Sequence, residues 1–215
     1  MKEHPILFNA EMVRAILEGR KTQTRRPVTV PWKRGKRVPP YEPYYVEEDG
    51  HLFFEDEYGD FHQMEQRCPY AQPGDVLWVR EAWRTDFTLD GFKPRDLTPN
   101  QPDICPILYE ADGDATGIVC FEWGKLRPSL HMPRWAARIF LRVKSVRIQR
   151  VQDICNSDAQ HEGFPNPSEL RLACGHPKIW FRENWNSIYG TWDANPWVWV
   201  FEFERIENYK PEASK

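Results

Sequence analysis

The sequence lacks several features that define large classes of protein. No apolar run approaches the roughly 20 residues that a membrane-spanning helix needs, and the first residues contain no apolar signal-peptide core. The five cysteines are odd in number, scattered and without a CxxC pair, and the isolated Cys174–His176 pairing is too small for a metal site. The sequence therefore predicts a cytoplasmic protein with no membrane attachment, no metal and no cofactor.

The sequence also lacks a large excess of either charge. Its 29 Lys and Arg against 32 Asp and Glu exclude a general nucleic-acid coat. The distribution is uneven, however, because residues 1–37 hold ten basic and three acidic residues, whereas residues 46–65 hold eight acidic residues and no Lys or Arg. Two interpretations follow. Either the basic segment makes local phosphate contacts, or the acidic segment covers and neutralises it.

Aromatic residues and prolines are abundant. With ten Trp, twelve Phe and eight Tyr, the core and any ligand cleft are expected to be rich in aromatic rings. Nineteen prolines favour long ordered loops and short elements over a helical bundle. No internal repeat is visible, and 215 residues suit one domain with insertions.

The N-terminal segment predicts a strand, a helix and a second strand. Residues 6–8 read as a short strand, and Asn9 is a good N-cap. The apolar positions from Met12 to Leu17 then lie on one helix face, and Gly19 stands where a left-handed cap is expected. The basic stretch GRKTQTRRP therefore leaves a helix end and enters a strand.

Two irregular segments interrupt the chain. We expect insertions at about 30–70 and 86–106, the first with a hairpin around 48–50. Between them, a Pro-Gly-Asp turn at 73–75 leads into a buried strand over 76–83. We interpret residues 1–215 as a single domain carrying these two insertions.

The C-terminal third predicts two long strands and two helices. A strand over 138–151 changes phase, which predicts a bulge near Ser145. A short helix is expected from a Ser157 cap to Gly163, and a longer one from Pro177 to Tyr189. A final strand alternates from Trp197 to Glu204. This pattern predicts an α+β protein whose strands close a small β-barrel with helices at the joins.

Three segments together resemble the ASCH domain family, whose fold is similar to the PUA-like β-barrels. They are ILFNAEMVRAILEGRKTQTRR, PGDVLWVREAW and the strand-to-helix segment that ends in AQHEGF. The later segments RPSLHMPRWAARI and WNSIYGTWDANPWVWVFEF are similar to those of the longer phage and prophage ASCH proteins. The resemblance covers nearly the whole chain except 30–70 and 86–106, and it implies a prophage origin.

The resemblance implies two kinds of function. PUA-like barrels commonly bind RNA, and some small bacterial ASCH proteins are metal-free amidohydrolases that remove the acetyl group of N(4)-acetylcytidine with a Lys, a Thr and a Glu. The matching positions here are Lys21, Thr24 and Glu162. This chain is about twice as long as those enzymes and differs around Glu162.

The chemistry of these three residue types suits amide hydrolysis. Thr24 would attack or orient a water, Lys21 would accept its proton if burial lowers the lysine pKa, and Glu162 would hold the nucleophile or pass a proton to the amine. A site requires a kink after Gly19, because residues 21 and 24 face opposite ways in a straight strand. A helix C-terminus also favours the ammonium form. In the plainer interpretation, Lys21 caps helix carbonyls and Thr24 is an ordinary strand residue.

Other basic and aromatic residues are candidates for ligand contacts. Arg20, Arg25 and Arg26 are expected to contact phosphate or to form a solvated turn, and Arg134 with Trp135 is expected to hold and stack a nucleotide or to frame a loop. The predicted partner is therefore RNA or a modified nucleoside. Three functions remain open: an amidohydrolase of acylated nucleosides, a non-catalytic RNA-binding module of phage origin, and a ribonuclease.

Overall fold

The computed structural model describes residues 1–28, 44–45, 52–55, 61–64, 68, 70–98, 107–113, 122–165 and 176–209. The strands are β1 (Glu3–Leu7), β2 (Gln23–Pro27), β3 (Tyr44–Tyr45), β4 (Leu52–Glu55), β5 (Phe61–Met64), β6 (Val76–Arg80), β7 (Trp83–Arg84), β8 (Leu108–Tyr109), β9 (Phe140–Arg150) and β10 (Trp197–Ile206). The helices are α1 (Ala10–Leu17), α2 (Asn156–His161) and α3 (Pro177–Ile188).

Five strands form the central sheet in the order β1-β6-β9-β10-β2. The β1–β6 pair is parallel and the other three pairs are antiparallel, so the sheet is mixed. Strands β3, β4 and β5 form a separate antiparallel sheet, and β7 pairs with β8. The predicted α+β class is confirmed.

The central sheet is open among the described strands, whereas the sequence predicted a closed barrel. Its edges are β1 and β2, and each carries a proline, Pro5 and Pro27, at a position that faces away from its paired strand. A proline has no N–H to give to a ladder, which is why it is tolerated on an edge. The guanidinium of Arg26 instead donates to the Leu7 carbonyl at 2.7 Å. A side chain, not a backbone ladder, links the two edges.

Helix α1 lies between the two residues that the sequence predicted as its caps, Asn9 and Gly19. The Asn9 side chain accepts from the Met12 N–H at 2.8 Å, and Gly19 adopts a φ of +76°. Val13 and Ile16 are buried in the larger core against one face of the sheet. Both cap predictions are confirmed, and the chain leaves this helix with a sharp change of direction.

Strands β9 and β10 are long neighbouring strands in the interior of the central sheet. Their register shifts where Ser145 pairs with Glu202 and Val143 with Phe203, so Lys144 is the extra residue of a bulge and the predicted bulge is confirmed. One face of β10 joins the larger core below α1. The other face joins a second core formed with α2 and α3. The sheet therefore separates α1 from the other two helices.

Two boundaries differ from the prediction. The strand expected over 76–83 ends at Arg80, because Glu81 turns inward to bind Arg138 and its N–H contacts the Met132 sulfur. Trp83 then begins the separate strand β7. Helix α2 is capped by Cys155, whose sulfur accepts from the Asp158 N–H, and not by Ser157.

The predicted insertions are only partly described. Strands β3 and β4 pair antiparallel on either side of the predicted 48–50 hairpin, whose turn lies outside the described residues. In the second insertion, single 3-10 turns occupy Phe87–Leu89 and Pro94–Asp96. Leu89 and Leu97 from these turns are buried with Trp83 in a small core.

Candidate active site

A cavity of about 500 Å³ lies at the open edge of β2, between α1 and α3. Lys21, Thr24 and Glu162 all line it, and so do Arg20, Arg25 and Arg26. Its volume is within the range of about 300–1,000 Å³ that is typical of small-molecule sites. We call this cavity the Lys21 pocket.

The backbone holds Lys21 beside Glu162. The Lys21 N–H donates to the Ala15 carbonyl of α1 at 3.0 Å, and the Thr22 N–H donates to the His161 carbonyl of α2 at 2.8 Å. Lys21 and Glu162 consequently form an isolated antiparallel bridge. The ends of two helices far apart in sequence are thereby joined, and two residues that are 141 positions apart become neighbours.

Gly163 permits this junction. Its φ is +101°, and a Cβ there would lie 3.0 Å from the Ala15 Cβ and 3.2 Å from the Lys21 Cβ. Both the backbone conformation and the space available therefore favour glycine. Lack of space beside Ala15 and Lys21 therefore explains why a glycine follows Glu162 in the segment AQHEGF.

Lys21 and Glu162 form a buried ion pair. The Lys21 Nζ donates to the Glu162 Oε2 at 2.7 Å and to the Glu162 carbonyl at 2.8 Å, and the two side chains are only 1% and 5% exposed. Burial lowers the pKa of Lys21 below its ordinary value, although the Glu162 carboxylate acts in the opposite direction. A lysine with a lowered pKa is suited to accept a proton.

Arg25 binds the other oxygen of Glu162. Its guanidinium donates to the Glu162 Oε1 at 2.9 Å and to the Asp158 Oδ2 at 2.7 Å, and the Arg25 side chain is fully buried. Both oxygens of Glu162 are thus held by cationic donors, which fixes the orientation of the carboxylate. The Arg25 guanidinium thus binds two carboxylates away from solvent, and the expected contact of Arg25 with phosphate stays a prediction.

A second layer of charges surrounds this pair. Gln23 donates to Asp158 and Glu202 at 3.3 Å, and Arg147 contacts the same two carboxylates. The network as a whole balances three cations with three carboxylates: Lys21, Arg25 and Arg147 against Asp158, Glu162 and Glu202. A balanced and hydrogen-bonded network is the condition under which buried charges are tolerated.

Thr24 lies on β2, opposite Phe201 of β10, and is 1% exposed. Lys21 lies before the first residue of β2 and is paired with Glu162 instead of with β10. Lys21 and Thr24 both line the pocket. The kink that would bring their two side chains together stays a prediction.

The open edge of β2 adds a backbone donor and acceptor. The Phe203 N–H donates to the Thr22 carbonyl and the Val28 N–H to the Trp197 carbonyl, each at 2.9 Å. Because the bonding direction alternates along an antiparallel pair, Arg25 directs its own N–H and carbonyl away from β10. The pocket lies on that side of the strand.

Arg20 and Arg26 line the pocket nearer to solvent. Arg20 binds Glu18 and the Gly163 carbonyl, and Arg26 binds the Leu7 carbonyl and the Tyr189 hydroxyl. Arg20 and Arg26, unlike the buried Arg25, lie at the mouth of the pocket. Their contact with an anionic group stays a prediction.

Arg134 and Trp135 lie elsewhere and do not line the Lys21 pocket. Arg134 forms a bidentate ion pair with Glu3 at 2.6 and 2.9 Å and covers the Phe140 ring. Trp135 packs edge-on against Trp83 and donates to the Leu97 carbonyl at 3.1 Å. Both side chains therefore make structural contacts away from the Lys21 pocket, and a nucleotide contact of Arg134 and Trp135 stays a prediction.

Sequence reasoning missed two contributors to the site. Asp158 gives no sign beyond being an acidic residue in the first turn of a short helix, which is common without any functional role. Helix α3 presents an aromatic wall consisting of Trp180, Phe181, Trp185 and Tyr189. The four-residue spacing of Phe181 and Trp185 is typical of a buried helix face and does not by itself indicate a pocket.

Comparison with family models, curated proteins and solved structures finds no significant match to this chain. Among the described residues, no helix has the length and apolar character to cross a membrane.

Proposed function

We propose that this protein is a PUA-like protein of the ASCH kind that hydrolyses the amide of an acylated nucleoside such as N(4)-acetylcytidine. The observation that carries the proposal is the buried Lys21–Glu162 pair sharing a nucleoside-sized pocket with Thr24. A cytoplasmic location and a prophage origin belong to the same proposal. They rest on cysteine usage and on the sequence resemblance.

In the proposed reaction, the elements of water are added across the amide, and an acid and an amine leave. Lys21 in its neutral form accepts the proton of the attacking hydroxyl, which belongs to Thr24 or to a water that Thr24 holds. Glu162 relays this proton from the Lys21 ammonium, which donates to its Oε2, to the departing nitrogen. If Thr24 itself attacks, a water then hydrolyses the acyl ester on Thr24, Lys21 again takes the proton, and the acid leaves. The outward-facing Arg25 N–H is a fixed donor for the oxyanion that develops on the acyl carbon.

The walls of the pocket suit a nucleoside. Trp180 and Tyr189 of α3 are half-buried at the pocket, which leaves aromatic surface for stacking a base. Arg26 supplies positive charge at the mouth, where Arg20 forms an ion pair with Glu18. These features support binding of one nucleoside without depending on hydrolysis.

A non-catalytic nucleoside- or RNA-binding module is the second candidate. It is favoured by the contact of Arg25 with Glu162, because a carboxylate held by two cations is also the arrangement of a purely structural ion pair. A ribonuclease is the third candidate and has less support, since the charges in the pocket interior are balanced.

The test is incubation with N(4)-acetylcytidine and with a short RNA, followed by mass spectrometry. Lys21→Met and Thr24→Val are each expected to lower turnover by at least about a hundredfold while nucleoside binding persists. Lys144→Met and Thr22→Val make the same chemical changes at residues that do not line the pocket, and they should retain activity. Binding without turnover in the wild type would favour the binding module, and RNA fragments would favour the ribonuclease.

A further inference from the structure

A second cavity, of about 540 Å³, opens where β6 ends. It is lined by Arg80, Lys93, Pro94, Arg95, Leu130, His131, Met132 and Pro133. The lining comes from β6, from the 3-10 turn at Pro94–Asp96 and from the turn at Ser129–His131. The charged side chains that line it are all basic. We call this cavity the Arg80 cleft.

The cations of the cleft have few acidic partners among the described residues. Arg80 stacks over the Trp78 ring at 4.8 Å, and its buried Nε has no hydrogen-bond partner in the described part of the chain. Arg95 has one exposed contact with Asp96 at 3.6 Å, and no ion pair within the described ranges involves Lys93. In the Lys21 pocket, by contrast, carboxylates balance the interior charge. The cleft consequently has the electrostatic character of an anion-binding site.

The cleft and the Lys21 pocket lie on the two sides of β1. Arg80 of β6 is the register partner of Leu7, and the Leu7 carbonyl accepts from Arg26 at the mouth of the pocket. Adjacent strands are about 4.8 Å apart, so a ligand passing from Arg26 to Arg80 crosses one strand. The Leu7 side chain is exposed at this position.

We propose that the Arg80 cleft binds the phosphate groups of a single-stranded RNA whose modified nucleoside occupies the Lys21 pocket. This inference rests on the proposed function and specifies its substrate as a nucleotide within a strand. Lys93 and Arg95 meet phosphates as exposed cations, and Arg80 is held in place by Trp78. The exposed Leu130 offers an apolar contact to a neighbouring base.

The experiment measures binding of a fluorescein-labelled RNA octamer by anisotropy at several salt concentrations. The double variant Lys93→Ala/Arg95→Ala is expected to weaken binding about tenfold near 0.1 M salt. Its salt slope should be shallower by about 1.4, which is about 0.7 for each phosphate that is no longer neutralised. The control is Arg142→Ala/Lys144→Ala, which removes two exposed cations that pair with Glu204. The control should bind within about twofold of the wild type.

Three outcomes would overturn the inference. These are unchanged binding in the cleft variant, an equal weakening in the control variant, and competition by an octamer of glutamate as effective as that by unlabelled RNA. Turnover of free N(4)-acetylcytidine separates this inference from the proposed function, because the cleft variant should retain it. Absence of the RNA effect with normal turnover refutes the cleft alone, and a normal RNA effect without turnover refutes the hydrolase alone.

Discussion

Lys21 is subject to opposing influences. A helix C-terminus and the Glu162 carboxylate favour its ammonium form, whereas burial disfavours it, and burial dominates so that the pKa of Lys21 is lowered. The pairing keeps the lysine in one position, and the burial lowers its pKa, which the proposed reaction requires. The same residue type on an exposed surface would have neither property.

The lowered pKa of Lys21 predicts a pH dependence of stability. Just below the ordinary value of 10.5, the unfolded lysine binds a proton that the folded one has lost. The free energy of unfolding contributed by this residue therefore rises with pH in the window that ends near 10.5. Urea unfolding across this window should show that the difference in stability between the wild type and Lys21→Met increases with pH.

Taking the difference in stability between the wild type and Lys21→Met also cancels the contribution of Cys68 to the pH dependence. Burial raises the pKa of the Cys68 thiol above 9.0, so that its contribution to stability falls as pH rises. Both proteins share this effect. A constant or decreasing difference between them would show that the Lys21 pKa is not lowered.

The planar guanidinium of Arg25 predicts that lysine cannot replace it. A single ammonium cannot bridge Glu162 and Asp158 as the guanidinium does, so Arg25→Lys leaves a buried carboxylate short of a donor. We expect a decrease of about 2–3 kcal/mol in the free energy of unfolding. Arg26→Lys, at the pocket mouth, should cost about 1 kcal/mol or less. Equal decreases in urea unfolding would contradict the role assigned to Arg25.

At the scale of elements, the site depends on a junction between α1, α2 and β2. The bridge between Lys21 and Glu162 and the bond from the Thr22 N–H to the His161 carbonyl tie the three elements together. Neither helix alone would hold Lys21 beside Glu162, since α2 has only six residues. The stability of this junction therefore determines the geometry of the site.

Gly163→Ala is expected to disrupt this junction. The new Cβ must adopt a φ of +101° and meets the Ala15 and Lys21 side chains at 3.0 and 3.2 Å. We expect a destabilisation of about 2–4 kcal/mol together with loss of turnover. The control is Gly190→Ala, whose φ is +65° and whose Cβ meets only one atom at 4.0 Å, and it should cost about 1 kcal/mol with activity retained. Similar effects in both variants would show that steric contact at Gly163 is unimportant.

At the scale of the whole molecule, β10 connects two cores. Phe201 on one face is buried with α1, and Val200 on the other face is buried with α2 and α3. The Lys21 pocket lies at the edge of the sheet where these two layers meet. The fold therefore brings residues from both layers to one site.

This arrangement predicts that the two cores unfold together. Phe201→Ala should cost about 3–5 kcal/mol and Val200→Ala about 2 kcal/mol, because each removes apolar side-chain atoms from a buried position. In both variants, urea transitions followed by tryptophan fluorescence and by far-ultraviolet circular dichroism should coincide. Separate transitions in either variant would show that the cores are independent.

Local patterns in the sequence predicted much of the secondary structure. The Asn9 and Gly19 caps, the bulge near Ser145 and the helix beginning at Pro177 each depend on a few adjacent residues, and the structure confirms them. Their causes are local backbone conformation and periodicity. Cys155 as a cap was missed, because a cysteine is an uncommon cap and Ser157 lies nearby.

The partners of the charged residues were determined only by the tertiary structure. GRKTQTRRP shows that Arg20, Lys21, Arg25 and Arg26 are close in sequence, but not that Arg25 is buried against carboxylates while Arg20 and Arg26 face the pocket mouth. Burial depends on which elements pack over a strand, and that packing is a long-range property. The resemblance implied that Lys21, Thr24 and Glu162 belong to one site. Their common pocket arises because the end of α2, far along the chain, is hydrogen-bonded to the segment that follows α1, a contact that no local pattern encodes.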